Sequence, residues 1–222
     1  MKINFNVLDE PIEVKTLTSL IVNDKKVFNN IIQSLYSFNS EKNYFSILND
    51  DYSLIKENEL LLVTDILGYD FNSASLLKLL YNDLEVEFSN KIEVKDKIEK
   101  LLEEVTYLIN NELIEYSIDL ESDEITFLEL FKALGIKVEV DSDTILERTI
   151  EIIQIFKYLN KKRILVLVNT SNYFSNEEFK VIEEYVELNN VIVLMIDNNE
   201  FDGVKKQYIL DNDYYLSARI MI

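Results

Sequence analysis

Carboxylates crowd one short stretch of this sequence: Asp119, Glu121, Asp123 and Glu124 fall within six residues, and Glu129 follows five positions later. Clustered acidic oxygens are the donors a hard cation needs, and calcium takes roughly six to eight of them at about 2.3–2.6 Å. Asp119, Glu121 and Asp123 match the first three ligand positions of a helix-flanked calcium loop. Glu124, however, stands where that loop needs glycine, and Glu129 comes one place early. The same residues have a plainer use: Asp123 can cap a helix starting near Glu124, with the other acids favoured beside its positive end. Spacing alone leaves both readings open.

Other chemistry is narrowed by what the chain lacks. With no His and no Cys, the usual general base, thiolate nucleophiles, disulfides and Cys-based zinc sites are excluded, so any catalysis falls to carboxylates, Lys, Tyr or a hard cation. Gly68, Gly135 and Gly203 cannot build the G-x-x-x-x-G-K loop that wraps a phosphate in backbone amides, nor G-x-G-x-x-G. Asp65, at the end of an apolar run, has the position of a magnesium-holding carboxylate in nucleotide-binding folds; without the loop its reading is structural. The basic candidates are Lys132 and Lys137, which flank Gly135, and Lys161 and Lys162, which cluster with Lys157 and Arg163 at the end of a helical stretch. Cations there also complement a helix dipole. The net charge of −19, from 41 acidic and 22 basic residues, argues against blanket attraction to nucleic acid but not against a segregated basic face.

These groups must be positioned by elements that the periodicity makes visible. With 222 residues, 48% of them apolar, the chain can bury one sizeable core or a core with a subdomain, and only three Gly and one Pro imply long uninterrupted elements. Residues 2–7, 19–22, 44–48 and 54–55 have strand character. Residues 60–64, 163–168 and 191–196 are continuous apolar runs of the kind buried on both faces of a parallel sheet, with 214–218 as a closing strand. Helical spacing predicts helices over 27–38 and 176–188. From Ser73 to about residue 160 the period is helical throughout, with Ser73 capping the first helix. An amphipathic helix of about 35 Å covers 93–116, and others cover 125–134 and 143–160. The stripe Val94, Ile98, Leu101, Val105 and Leu108 of the long helix has to pack on those last two. The expectation is an α/β protein. Residues 1–70 and 160–222 form an open-sheet head resembling a nucleotide-binding fold without a phosphate loop, and residues 71–159 form an inserted all-helical leg. No apolar run approaches the ~18 residues of a membrane span, and residues 1–6 lack a basic segment followed by an apolar one. A cytoplasmic protein with no membrane partner is expected.

Six stretches, in order along nearly the whole chain, carry a family resemblance: LDEP at 8–11, LLVTDILGYDFNS at 61–73, DLESDEITFLEL at 119–130, SDTILE at 142–147, IIQIFKYLNKK at 152–162 and QYILDNDYYL at 207–216. The chain closely resembles the CRISPR-associated spacer-acquisition protein of type II-A systems, the ring-forming accessory protein that binds DNA ends. The match is poor at residues 39–52 and 170–185. The resemblance implies a homotetrameric ring with calcium (Ca2+) supporting the leg, and a basic inner surface that takes linear double-stranded DNA at free ends. It further implies the CRISPR integrase complex and the RNA-guided effector nuclease as partners in antiviral defense, and no enzymatic activity. Carried onto the acidic motif, it implies calcium ligation by some of Asp119, Glu121, Asp123, Glu124 and Glu129. For the DNA face the first choice is Lys132 and Lys137, and the second Lys161 and Lys162.

Two rival functions use the same composition. Two divalent ions held by Asp and Glu suffice for phosphodiester cleavage, which makes a carboxylate-dependent metal nuclease the enzymatic alternative. An acidic protein-interaction scaffold is the other, and the charge of −19 is its best support.

Overall fold

A computed structural model describes residues 1–38, 44–159 and 161–220. The start of the polar stretch 39–56 and Asn160, at the expected end of a helix, lie outside these residues. In chain order the elements are β1 (Lys2–Phe5), β2 (Ile12–Glu13), β3 (Leu17–Val22), α1 (Lys25–Tyr36), β4 (Phe45–Leu48), β5 (Leu60–Val63), α2 (Ala74–Asn90), α3 (Ile92–Leu113) and α4 (Phe127–Ala133). They continue with α5 (Ile145–Tyr158), β6 (Ile164–Val168), α6 (Asn176–Asn189), β7 (Val193–Asp197), β8 (Lys206–Leu210) and β9 (Leu216–Ile220). The fold is α/β: a six-stranded sheet in the order β5-β6-β7-β3-β8-β9, a three-stranded sheet in the order β2-β1-β4, and an inserted set of helices.

The large sheet is parallel except for β9, which returns antiparallel to β8. Every residue of β3, β6 and β7 is buried. Covering both faces of a parallel ladder is what makes such strands read as unbroken apolar runs. One face packs with α1 and the small sheet in a core containing Leu20, Val22, Val166, Ile196, Ile3 and Phe45. Between β3 and α1 only Asn23 and Asp24 intervene, and Asp24 Oδ1 accepts from the backbone N–H groups of Lys26 and Val27 at 2.8 and 2.9 Å. Strand β8 has no counterpart in the periodicity reading, because it is short and alternates partly buried with buried positions. It is fixed by pairing with β3, its distant neighbour in sequence.

The chain divides into two compact units, Met1–Tyr69 with Val140–Ile222, and Asp70–Glu139. Helix α5, expected in the leg, therefore falls in the sheet unit. Its Ile152, Ile153 and Phe156 are buried, and Arg148 donates through Nε to the Ile66 carbonyl at 2.8 Å and through a terminal nitrogen to the Tyr69 carbonyl at 2.7 Å. The helical unit has its own small core: Tyr81, Phe127 and Phe131 are buried, with Leu84, Phe88 and Ile136 packed around them. The Phe88 and Phe131 rings meet edge-on at 5.5 Å, a favoured aromatic arrangement. The ends of this unit are pinned together by Asn72, whose side chain donates to the Val138 carbonyl at 3.1 Å and accepts from its N–H at 2.8 Å.

Helix α3 differs from expectation. Its amphipathic stripe is present, but none of its residues is buried. Val94, Leu101, Val105, Leu108 and Ile109 are 44–58% exposed. Ile98 reaches the aromatic core, and the rest of the stripe stays half-exposed.

Replacing Asn72 with Ala removes both bonds to Val138 and should destabilise the helical unit by about 1–3 kcal/mol, and Asn72→Asp, which keeps the acceptor but turns a second oxygen toward the Val138 carbonyl, should also destabilise it. Hydrogen exchange measured across residues 70–139 and across the sheet unit reads this directly. Equal loss of protection in both units would contradict a local clamp.

Candidate functional site

The acidic segment sits in the helical unit, where residues 119–126 have no regular structure. Thr126, not Asp123, caps the following helix: its Oγ1 accepts from the Glu129 N–H at 3.3 Å, and the Glu129 carboxylate accepts from the Thr126 N–H and hydroxyl at 2.9 and 2.8 Å. This reciprocal arrangement satisfies two helix-end donors. Those hydrogen bonds, the backbone one foremost, hold the Glu129 carboxyl below the ordinary glutamate range, with Lys132 adding a weaker pull. Asp119, Glu121, Asp123 and Glu124 are exposed. Among the described residues no group of three or more acidic side chains is gathered closely enough to hold a metal.

Lys132 and Lys137 are exposed on the two arms of the turn that ends α4. The turn is closed by Gly135 N–H donating to the Lys132 carbonyl at 3.0 Å and Ile136 N–H to the Phe131 carbonyl at 3.1 Å, with Gly135 at φ +64°. That pairing is the Schellman motif, and its left-handed residue is the reason for glycine here. Neither lysine forms an ion pair among the described residues.

The second basic pair is split by its surroundings. Lys161 is exposed in a turn. Lys162 is partly buried, its ammonium donates to the Leu60 carbonyl, and desolvation lowers its pKa. Both belong to the sheet unit, whereas Lys132 and Lys137 belong to the helical unit. Asp65 is a turn residue: its Oδ1 accepts from the Gly68 N–H at 2.9 Å, and a Cβ at Gly68 would lie 2.3 Å from its other oxygen.

Sequence reasoning passes over Asp197, the last residue of β7. It is 1% exposed, and its Oδ1 accepts from the Ser171 N–H at 3.0 Å and hydroxyl at 2.8 Å. Its Oδ2 has no hydrogen-bond partner among the described residues. Burial raises its pKa, against the opposing pull of the Ser171 and Thr170 hydrogen bonds. An acid ending an otherwise apolar run, VLMID, is the signal that sequence offers. The group tethers the turn after β6 and is shut away from solvent.

The model of the family described as CRISPR-associated protein (Cas_Csn2) matches residues 16–214. A CRISPR-associated protein Csn2 from Enterococcus faecalis is 44% identical over 217 residues, covering 98% of each chain. Another from Streptococcus agalactiae is 42% identical over 222 residues, covering all of both. Among solved structures, Stu0660 of Streptococcus thermophilus has a similar fold, with a TM-score of 0.58 at 13% identity, covering 95% of this chain and 74% of that one.

The buried acid sets a pH dependence. Because the folded pKa of Asp197 is raised, the native state keeps its proton to higher pH than the unfolded chain does. Stability from this group is thus full below the unfolded carboxylate value of about 3.9 and falls as pH rises toward the folded one. Asp197→Asn keeps an acceptor for Ser171 and has no charge to desolvate. Urea midpoints should show the variant gaining on the parent as pH rises above about 3.9; a constant difference would assign the pH dependence elsewhere.

Proposed function

The chain belongs to the Csn2 family of CRISPR-associated proteins, and from that membership we propose that it serves CRISPR adaptation as a non-catalytic ring that binds the ends of double-stranded DNA. The observation that carries the ring is the half-exposed apolar stripe of α3. The helix runs about 33 Å at 1.5 Å per residue, and the apolar residues of the stripe gain nothing from facing water. A second copy of the chain is the occupant this reading assigns to it, within a homotetramer.

A chain of −19 holds DNA in this reading by concentrating a few cations. Phosphate contacts are sequence-independent and gain from each counterion released, so four copies of Lys132 and Lys137 on one inner surface supply what one copy cannot. A closed ring also accounts for preferring ends, since a circular duplex offers no point for threading. The lack of His, Cys and a phosphate loop favours a role without catalysis. The integrase complex and the RNA-guided effector nuclease are the partners in this reading. No described helix is long and apolar enough to cross a membrane.

Calcium is the cation proposed for the acidic segment, and it asks that Asp119, Glu121, Asp123, Glu124 and Glu129 be drawn together from their present spread. Five crowded carboxylates without a cation are relieved only by protonation or by moving apart.

Incubation with linear and closed-circular duplexes, in calcium or chelator, separates the readings: retention of linear DNA alone supports the ring, cleavage supports a metal nuclease, and no binding leaves an acidic scaffold. Lys132→Glu with Lys137→Glu should keep the tetramer and weaken binding to linear DNA. It should also flatten the log–log salt dependence by roughly one unit for each phosphate no longer neutralised. An unchanged slope would place the DNA face elsewhere.

Light scattering in calcium should give a tetramer mass at micromolar concentration, and calorimetry should give weaker calcium binding for Asp123→Asn with Glu129→Gln. A monomer mass counts against the ring, and unchanged affinity returns the acidic segment to a solvated turn with a helix cap.

A further inference from the structure

Within the sheet unit, a cleft of about 450 Å³ opens beside the starts of β6 and β7, where α5 and α6 end. Its nine lining residues include Lys157, Lys162 and Arg163, the amides of Asn189 and Asn190, and no carboxylate. In a chain with 41 acidic and 22 basic residues, three side-chain cations with no acid among the described lining residues are unlike the general surface; the Met1 ammonium, also at the cleft, is already paired with Asp50 at 2.9 Å. Arg163 is paired through Nε with Glu59 at 2.9 Å and donates through a terminal nitrogen to the Asn49 side-chain oxygen at 3.4 Å, which leaves only its other N–H groups for a ligand. Lys157 donates to the Asn189 side-chain oxygen at 2.7 Å, and Lys162 to the Leu60 carbonyl. Both are neutral acceptors, so neither ammonium has its charge balanced by an ion pair among the described residues.

Helix dipoles offer a competing explanation, since two C-termini end here. Each contributes roughly half a negative charge, together about one unit, against two unpaired ammoniums. Exposed Glu57 acts on Lys162 only through space. Part of the carbonyl charge is already met: Asn190 N–H donates to the Glu187 carbonyl at 3.2 Å and Val191 N–H to Val186 at 3.3 Å. Partial burial of Lys162 costs free energy that an anion in the cleft would recover, since desolvation is the main influence on that group.

We propose that this cleft binds a phosphomonoester, with Lys157 and Lys162 as its cations and the remaining N–H groups of Arg163 as further donors. A compact dianion fits a cleft of this volume and matches its charge, and planar guanidinium suits phosphate oxygens. Such a group is carried either by a free phosphorylated ligand or by the 5′-phosphate of a DNA end; only the second source rests on the DNA-end reading.

The test uses the full chain in calcium-free buffer at pH 8 and fixed ionic strength. Calorimetry with inorganic phosphate should detect binding that Lys157→Gln weakens about tenfold, the loss expected for one charge-assisted hydrogen bond. Lys162→Met should do the same, and Lys157→Gln keeps the test valid if that variant folds poorly. No phosphate binding by the parent, or binding unchanged by either substitution, overturns the proposal. Anisotropy with linear duplexes bearing 5′-phosphate or 5′-hydroxyl identifies the source. A preference for phosphate that Lys157→Gln abolishes assigns the cleft to DNA ends, and equal affinity alongside phosphate binding assigns it to a free ligand.

Discussion

Parallel pairing of β5 with β6 sets the terms for everything between them. Parallel neighbours cannot be joined by a hairpin, because the chain must travel back the length of the sheet before pairing again. Here the return trip carries α2 to α5. An insertion of that size is thermodynamically tolerable, since loop closure grows only logarithmically with length. It still has to leave and re-enter at fixed points. Asn72 supplies this by acting as a piece of backbone toward Val138, and Arg148 ties α5 to the carbonyls that follow β5.

What the sequence discloses follows from how local each signal is. The buried strands β6 and β7 are legible as apolar runs, and the helix starts at Ala74 and Asn176 agree with their caps. For α4 the expected cap, Asp123, is not the one used, because Asp is as good a capping residue as Thr in isolation. The decisive feature is the Glu three positions after Thr126, which closes the box. Strand β8 and the allegiance of α5 are not legible, because both depend on partners distant in sequence: β3 for the one, α6 and the backbone after β5 for the other.

The candidate sites show the same division. Residue type announces the acidic segment and the lysines, but position decides their use. Glu129 is engaged as a cap, Lys162 is withdrawn into the protein, and Lys132 and Lys137 stay open to solvent. Family membership is legible from short stretches in the right order, a signal spread over the chain that no single site carries. Asp197 is hidden for the opposite reason: it is one charged residue ending a hydrophobic run, and burial is invisible in a string of letters.

The two-residue link from β3 to α1 has a consequence for what this sheet cannot do. In phosphate-loop proteins the amides at such a helix start are left free for a diffusing nucleotide. Here Asp24 already accepts from two of them. A carboxylate fixed to the chain at that spot is a tethered competitor, present at the millimolar or higher effective concentration that short tethers confer. Any nucleotide arriving there would have to displace that carboxylate and bring its own negative charge beside it. The amides that open α1 are thus already engaged by a carboxylate of the chain itself, and no glycine loop stands beside them to hold another anion.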